Sequence, residues 1–324
     1  MKKVIWTEFG SPDVLKIGEA EKPVPGNREI LIKVMATSVT LGDCEMRSLA
    51  LPWAFKIPIR LMMGVTKPRG FTLGQEFAGI VQEIGKDVTR FKVGDEIFGQ
   101  TGITMGAYSQ YMTLPEKSII SKKPVSTSFE QAACVPLGGL EARHFVKRSG
   151  LGPGSKVLVI GAGGSIGTMA IQLFKLLGAE VTGVDGAEKF DAMKEAGADY
   201  CIDYTKQDYF INGQIYDGIF DVVGKTPLKK GLNILRNNGV YMHANPSISL
   251  MLFKRLRTGS GNKRILVKVE GQGQNDLDYL SVLLSDGKIK PIIDKIMYLE
   301  DIVEAHEYVE SGKKKGNLAV KVSH

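Results

Sequence analysis

The chain has 324 residues, 43% of them apolar, and a net charge of +7, enough to bury the cores of two domains. The positive charge is dispersed apart from two clusters, Lys254 to Arg264 and Lys313 to Lys315, and without a focused patch or a recognition motif no nucleic-acid partner is expected. Three widely separated cysteines, Cys44, Cys134 and Cys201, exclude a disulfide framework and a zinc-finger spacing and suit a reducing cytoplasm; a start without the apolar stretch of a signal peptide and the lack of a long uncharged apolar run argue against integral membrane association.

In chain order, short apolar segments come first. Residues 29–36 (EILIKVMA) and 78–84 (AGIVQEI) are bounded by turn residues such as VPGN, and KVGDEIFG (92–99) is a turn followed by a short strand. These segments predict a compact, barrel-like β domain. The stretch LALPWAFKIPIRLMMGV (49–65) carries only Lys56 and Arg60 as charges. It reads as the wall of a substrate cleft or as a dimer surface, with a lid resting on a membrane as the alternative. Helical spacing over 128–149 surrounds a Pro-Leu-Gly-Gly break. Strands then alternate with helices: strand 156–162, helix 166–178, strand 180–185, helix 187–196, strands 200–204 and 218–224, helix 227–236 and strand 239–244. That alternation predicts a doubly wound parallel sheet. The chain closes with a helix and turn in DLDYLSVLLSDGKI, a helix ending at Gly312, and a strand in GNLAVKV that returns to the first domain. The expected division is 1–123 with 268–324, and 124–267.

Residues 157–168 read VLVIGAGGSIGT, a strand running into a glycine turn and then an amphipathic helix. Glycines admit a phosphate close to the backbone, and the helix start offers N–H groups and the positive end of its dipole. Gly161 and Gly163 fit a G-x-G-x-x-G turn, but the third glycine stands at 167 instead of 166. Gly161, Ala162, Gly163, Gly164, Ser165, Ile166 and Gly167 are therefore the candidate pyrophosphate cradle. Asp185 closes the second strand, where a carboxylate can accept from a ribose and repel a 2′-phosphate, so NAD(H) is preferred over NADP(H). Lys189, Val223 and Gly224 are counted with the same cofactor site.

The segments GQEFAGIVQEIGKDVTRFKVGDEIFG (74–99), GAGGSIGT, YDGIFDVVG and KKKGNLAVKV together make the chain resemble the medium-chain dehydrogenases/reductases over nearly its whole length. The resemblance implies an α/β protein: a GroES-like β-barrel catalytic domain plus a Rossmann domain with a doubly wound parallel sheet, and a cleft between them. Zinc alcohol dehydrogenases of that family carry Gly-His-Glu where this chain has Gly74-Gln75-Glu76, and their first cysteine ligand falls near Thr40. No catalytic zinc is expected. Zinc-free quinone reductases carry G-x-x-G-x-x-G, which Gly161, Gly164 and Gly167 satisfy, so the offset marks that branch. The resemblance implies an NAD(P)H-dependent reductase passing hydride to a quinone or an α,β-unsaturated carbonyl, commonly as a homodimer. A zinc-free carbonyl or alcohol dehydrogenase, or a nucleotide-binding protein with little turnover, stands as the alternative. By the same resemblance Thr40 donates a hydrogen bond to the substrate oxygen, and Asp43 and Arg47 form a buried pair. Gln75 fills the lost ligand position, and Asn317 sits near the cofactor. Tyr108 and Tyr111 read as ordinary strand residues. Glu141 stands where relatives often have Thr, an unfavourable place for a carboxylate unless it turns outward.

Overall fold

The computed structural model describes residues 1–51, 53–211, 213–245, 262–267 and 273–324. The basic cluster from Lys254 therefore lies outside the described residues up to position 261, as does Pro52 within 49–65. The chain divides into two compact units. The first comprises Met1–Leu137, Leu277–Ser285 and Ile293–His324, and the second Gly138–Asp276 and Asp286–Ile292. The first crossing thus falls after Leu137, beyond the expected 123, because the short helix Phe129–Ala133 packs on strands of the first unit.

The first unit is built on a seven-stranded sheet. Its order is Ile293–Tyr298, Asn317–Lys321, Glu29–Ser38, Glu76–Ile84, Glu96–Gln100, Ile120–Lys122, with Tyr111–Pro115 pairing the other half of Glu29–Ser38. The ten-residue strand Glu29–Ser38 anchors it: Ile30, Ile32, Val34 and Ala36 bury one face, Leu31 and Thr37 are buried on the other, and both edges are paired. Ile30, Ile32, Val34, Phe77, Val81 and Ile97 form the centre of the core. The closing strand returns as expected: Ala319, Val320 and Lys321 lie antiparallel to Ser38, Thr37 and Ala36.

The second unit holds a six-stranded sheet, all parallel, in the order Tyr200–Asp203, Glu180–Asp185, Lys156–Ile160, Tyr216–Asp221, Leu235–His243, Arg264–Val267. The order in which strands are added reverses between Lys156–Ile160 and Tyr216–Asp221, which pair in parallel. This is the switch point at which doubly wound sheets take ligands, at the carboxyl ends of the strands. Leu158, Ile160, Val184 and Ile219 fill the space under the sheet.

Several elements differ from expectation for identifiable reasons. The helix expected over 227–236 is shorter, Leu228–Asn233, and the strand starts early at Leu235. A register shift accounts for it: Tyr216 pairs with Leu235 but Gly218 with Val240, and Asn238 takes a left-handed φ of 63°. The helix expected over 187–196 opens with a tight 3₁₀ turn, Ala187–Lys189, before Phe190–Glu195. Residues 222–224 leave the strand as a turn. Tyr108 lies in the bend before Tyr111–Pro115, not in a strand.

Candidate active site

In the first unit the candidate residues gather around one helix, Leu41–Ser48. Thr40 caps it: its hydroxyl oxygen accepts from the Asp43 N–H at 3.2 Å, while the Asp43 carboxylate accepts from the Thr40 N–H at 3.0 Å and from the Thr40 hydroxyl at 2.6 Å. The reciprocal bonds satisfy donors that a helix start leaves free. The Gly74 N–H reaches the other Asp43 oxygen at 3.3 Å. Asp43 is fully buried, and burial pushes its pKa up against the hydrogen bonds from Thr40, Gln75 and Gly74 that pull it down. Gln75 approaches from the next segment, its amide nitrogen 2.9 Å from where a side chain on Gly42 would begin. Thr40, Asp43 and Gln75 are thus one cluster.

Arg47 is buried as expected but does not pair with Asp43. Asp43 turns back to the start of the helix as its third residue. Arg47 in the last turn extends to the helix Ile302–Glu310, where it bonds the Glu310 carboxylate and the His306 Nδ1 (3.4 Å); its Nε donates to the Gly10 carbonyl at 3.1 Å. The expected Asp43–Arg47 pair is therefore replaced by an Arg47–Glu310 pair that joins two helices.

His306, which was not among the expected site residues, touches this network from 262 residues beyond Cys44. The Cys44 sulfur lies 3.4 Å from His306 Nδ1, and the Tyr108 ring packs edge-on against the imidazole. Burial, then the Arg47 guanidinium, holds the His306 pKa down to about 3. Burial, then the Asp43 and Glu310 charges, raises that of the Cys44 thiol. Both stay neutral at pH 7, so this contact is neither a thiolate nucleophile nor an ion pair. The Tyr108 phenol is also fully buried, its pKa raised by burial and by Asp43.

Glu76 follows Gln75 at the start of its strand. It is buried, accepts from the Ser38 hydroxyl and, at 2.7 Å, from the Leu137 N–H, and burial pushes its pKa up to about 7.

A resident zinc would need three or four donors. Thr40 and Gln75 offer only a hydroxyl and an amide, and Cys44 and His306 have the Arg47 guanidinium as their third neighbour, which repels a cation. Among the described residues no group of three or more His, Cys, Asp or Glu side chains could hold a metal. These residues do not fit a zinc site.

In the second unit the glycine turn follows the strand Lys156–Ile160 at the switch point. Gly161 has a φ of 81°, and a side chain there would meet Val223 at 2.7 Å. Gly167 lies so close to the preceding turn that a Cβ would sit 2.2 Å from the Gly161 carbonyl oxygen. The cradle is therefore open backbone at the start of the helix Ser165–Leu176, with Gly164 as its cap, and this fits a pyrophosphate. Asp185 is more engaged than its sequence position implies. It accepts from the Gly163 N–H and the Gly186 N–H, each at 2.9 Å, and from Lys189 Nζ at 3.1 Å. Gly224 donates its N–H to the buried Asp221 at 2.8 Å, which fixes the turn after the fourth strand. The glycine turn, Asp185, Lys189, Val223 and Gly224 are thus brought together. Asn317 is buried at the start of its strand in the first unit. Glu141 is buried, with the carboxylate not turned out to solvent.

Residues 26–124 match the alcohol dehydrogenase GroES-like domain family and residues 196–320 the zinc-binding dehydrogenase family. The chain is 28% identical to the 2-methylene-furan-3-one reductase of Solanum lycopersicum, covering 99% of this chain and 79% of that protein. It is 31% identical to a quinone oxidoreductase of Pseudomonas aeruginosa, over 74% of this chain and 71% of that one. The quinone oxidoreductase structure from Coxiella burnetii superposes with a TM-score of 0.88 at 28% identity, covering 100% of this chain and 99% of that chain. With an all-parallel nucleotide sheet, a glycine cradle at its switch point and a GroES-like partner unit, the chain belongs to the medium-chain dehydrogenase/reductase superfamily, in its quinone oxidoreductase-like branch.

Proposed function

We propose that the protein is a zinc-independent NAD(P)H-dependent reductase of quinones or α,β-unsaturated carbonyls. The observation that supports this reading is the buried cluster Thr40–Asp43–Gln75, a set of hydrogen-bonding groups at positions that the resemblance assigns to metal ligands. Without a Lewis acid a simple alkoxide is poorly stabilised, whereas an enone or quinone already spreads the incoming charge onto oxygen. A reduced nicotinamide, held by the glycine cradle when bound, would supply a hydride to the electrophilic carbon. The electron pair displaced towards the substrate oxygen then needs a donor, and the Thr40 hydroxyl is that donor.

Asp43 decides whether Thr40 can act. An ionised Asp43 takes the Thr40 proton as its own hydrogen bond, at 2.6 Å. A protonated Asp43 donates to the Thr40 oxygen instead and frees the hydroxyl proton to point at substrate. Burial favours the protonated form. Turnover is therefore expected to fall as pH rises through the elevated Asp43 pKa. Thr40→Val is expected to lower kcat about 100-fold with nucleotide affinity unchanged, with Thr40→Ser recovering most of it. Asp43→Asn keeps an acceptor for the helix start and is expected to flatten the pH profile of kcat. A Thr40→Val enzyme with wild-type kcat on an enone and quinone panel removes this assignment.

NADH is the preferred cofactor in this proposal, because Asp185 places a carboxylate beside the cradle. Lys189 partly offsets that charge and keeps the preference small. Lys189→Ala is expected to raise the NADH-to-NADPH ratio of kcat/KM about tenfold, equivalent to about 1.4 kcal/mol. A wild-type enzyme that clearly prefers NADPH takes the discriminating role away from Asp185. Free cysteines at 44, 134 and 201 support a reducing, cytoplasmic setting, and a homodimer is the assembly expected from the resemblance.

A further inference from the structure

The helix Trp53–Met63 buries one side and leaves the other without a partner. Met63 is in the core and Ile59 packs against it. Trp53, Ile57 and Leu61, at helical spacing of four, are 74%, 61% and 66% exposed. Lys56 and Arg60 flank that stripe and are exposed as well. No acidic residue occurs between Glu45 and Glu76, while Lys56, Arg60, Lys67 and Arg69 all fall in that interval and all face solvent.

Next to the helix end is a cavity of about 440 Å³, lined by residues 3, 5–7 and 67–71. The Arg69 N–H bonds the Met63 carbonyl at 2.7 Å and ties the cavity wall to the helix. Lys3, Lys67 and Arg69 line the cavity with no carboxylate among them, and none of the three forms an ion pair among the described residues. The wall also contains Trp6, 2% exposed, whose indole Nε1 is buried with no acceptor. A buried donor without a partner costs free energy unless a ligand satisfies it.

We propose that this face docks on an anionic phospholipid surface, with the Trp53–Ile57–Leu61 stripe in the interfacial layer and a lipid phosphate in the cavity. An interfacial helix needs an apolar face, basic flanks and an aromatic anchor, and all three are here. The phosphate supplies the counter-charge that Lys3, Lys67 and Arg69 lack. A second copy of the chain fits worse, because a twofold contact sets the same cations against one another. Among the described residues no helix is long and apolar enough to cross a membrane, so the association is peripheral. It goes beyond the reductase reading and does not depend on it.

The test is flotation of the full chain with phosphatidylcholine vesicles and with vesicles containing about 30% phosphatidylserine. Binding is expected to the anionic vesicles alone, and to weaken as salt is raised. Each cation near the surface contributes about fivefold, so Lys67→Ala with Arg69→Ala is expected to weaken binding about 25-fold, with reductase turnover unchanged. Leu61→Asp is expected to abolish it. In a Trp6→Phe variant, emission from Trp53 is expected to shift to the blue on anionic vesicles. The proposal is overturned by absence of flotation, by equal binding to neutral vesicles, or by binding that the double substitution leaves intact. It is also overturned if Leu61→Asp splits a dimer that shows no vesicle binding.

Discussion

Gly167→Val is expected to abolish nucleotide binding and to destabilise the second unit by about 3 kcal/mol or more. A Cβ at this position would lie 2.2 Å from the Gly161 oxygen and 2.6 Å from the Ala162 Cα. Both are backbone atoms, so no rotamer change relieves the overlap. The helix Ser165–Leu176 would have to move away from the strand that feeds it, and its N-terminal N–H groups would leave the cradle. Gly164 gives the matching control. Its φ is −91°, ordinary for any residue, and the nearest atom to an added Cβ is 3.8 Å away. Gly164→Ala is therefore expected to fold, losing no more than about 1 kcal/mol at this helix cap. Its NADH affinity is expected to drop at least about tenfold, because the methyl group stands where the pyrophosphate approaches. Calorimetric titration with NADH alongside thermal unfolding separates the two effects. Wild-type affinity in Gly164→Ala would show that the pyrophosphate does not lie against this turn.

The difference between those two glycines marks how far the sequence could be read. The strand, glycine turn and helix form one local pattern, visible without a fold. Which glycine is sterically required depends on how the helix lies against Gly161, and spacing alone does not report that. The parallel sheet was equally legible, since strands and helices alternate at regular intervals. The network around Arg47 was not. Asp43 and Arg47 stand four apart on a helix and look like a pair, but Thr40 and Asp43 also have capping-box spacing, and that signal was the better guide. Glu310 is 263 residues from Arg47, so only the returning C-terminal chain brings it near. His306 did leave a trace: Ile302, Ala305, His306 and Val309 repeat at helical spacing and are all buried, which places an imidazole on an otherwise apolar face. The strands Tyr111–Pro115 and Ile120–Lys122 are too short to announce themselves and form because Glu29–Ser38 and Glu96–Gln100 offer open edges.

Glu76 is expected to make stability fall as pH rises towards neutrality, and Glu76→Gln to remove that slope. Burial is the main cause of its raised pKa, partly countered by the Ser38 hydroxyl, the Leu137 N–H and the charge of Lys314, while Asp43 adds to it. The folded pKa of about 7 lies above the usual 4.5, so the folded state binds the proton more tightly than the unfolded state. The favourable contribution is fully present below about pH 4.5, is lost progressively from there to about pH 7, and is absent above that. A shift of that size corresponds to about 3 kcal/mol. Glutamine carries no charge and keeps one oxygen for the Leu137 N–H, but its amide NH2 replaces the oxygen that accepts from Ser38, so that hydroxyl must turn to accept and the second amide hydrogen is left without a partner; it should therefore be less favourable at pH 4.5 and at least as stable as the wild type at pH 8. Subtracting the two urea-unfolding curves at several pH values isolates Glu76 from Asp43, which is present in both proteins. Parallel pH dependences would mean that the Glu76 carboxyl does not titrate in this range. A sloping difference would mean that the tether from the strand Glu76–Ile84 to the start of the helix Pro136–Ser149 is held by a carboxyl that is half protonated near neutral pH. That tether sits one residue along the chain from Gln75, so the same titration would bear on the cluster assigned to oxyanion stabilisation.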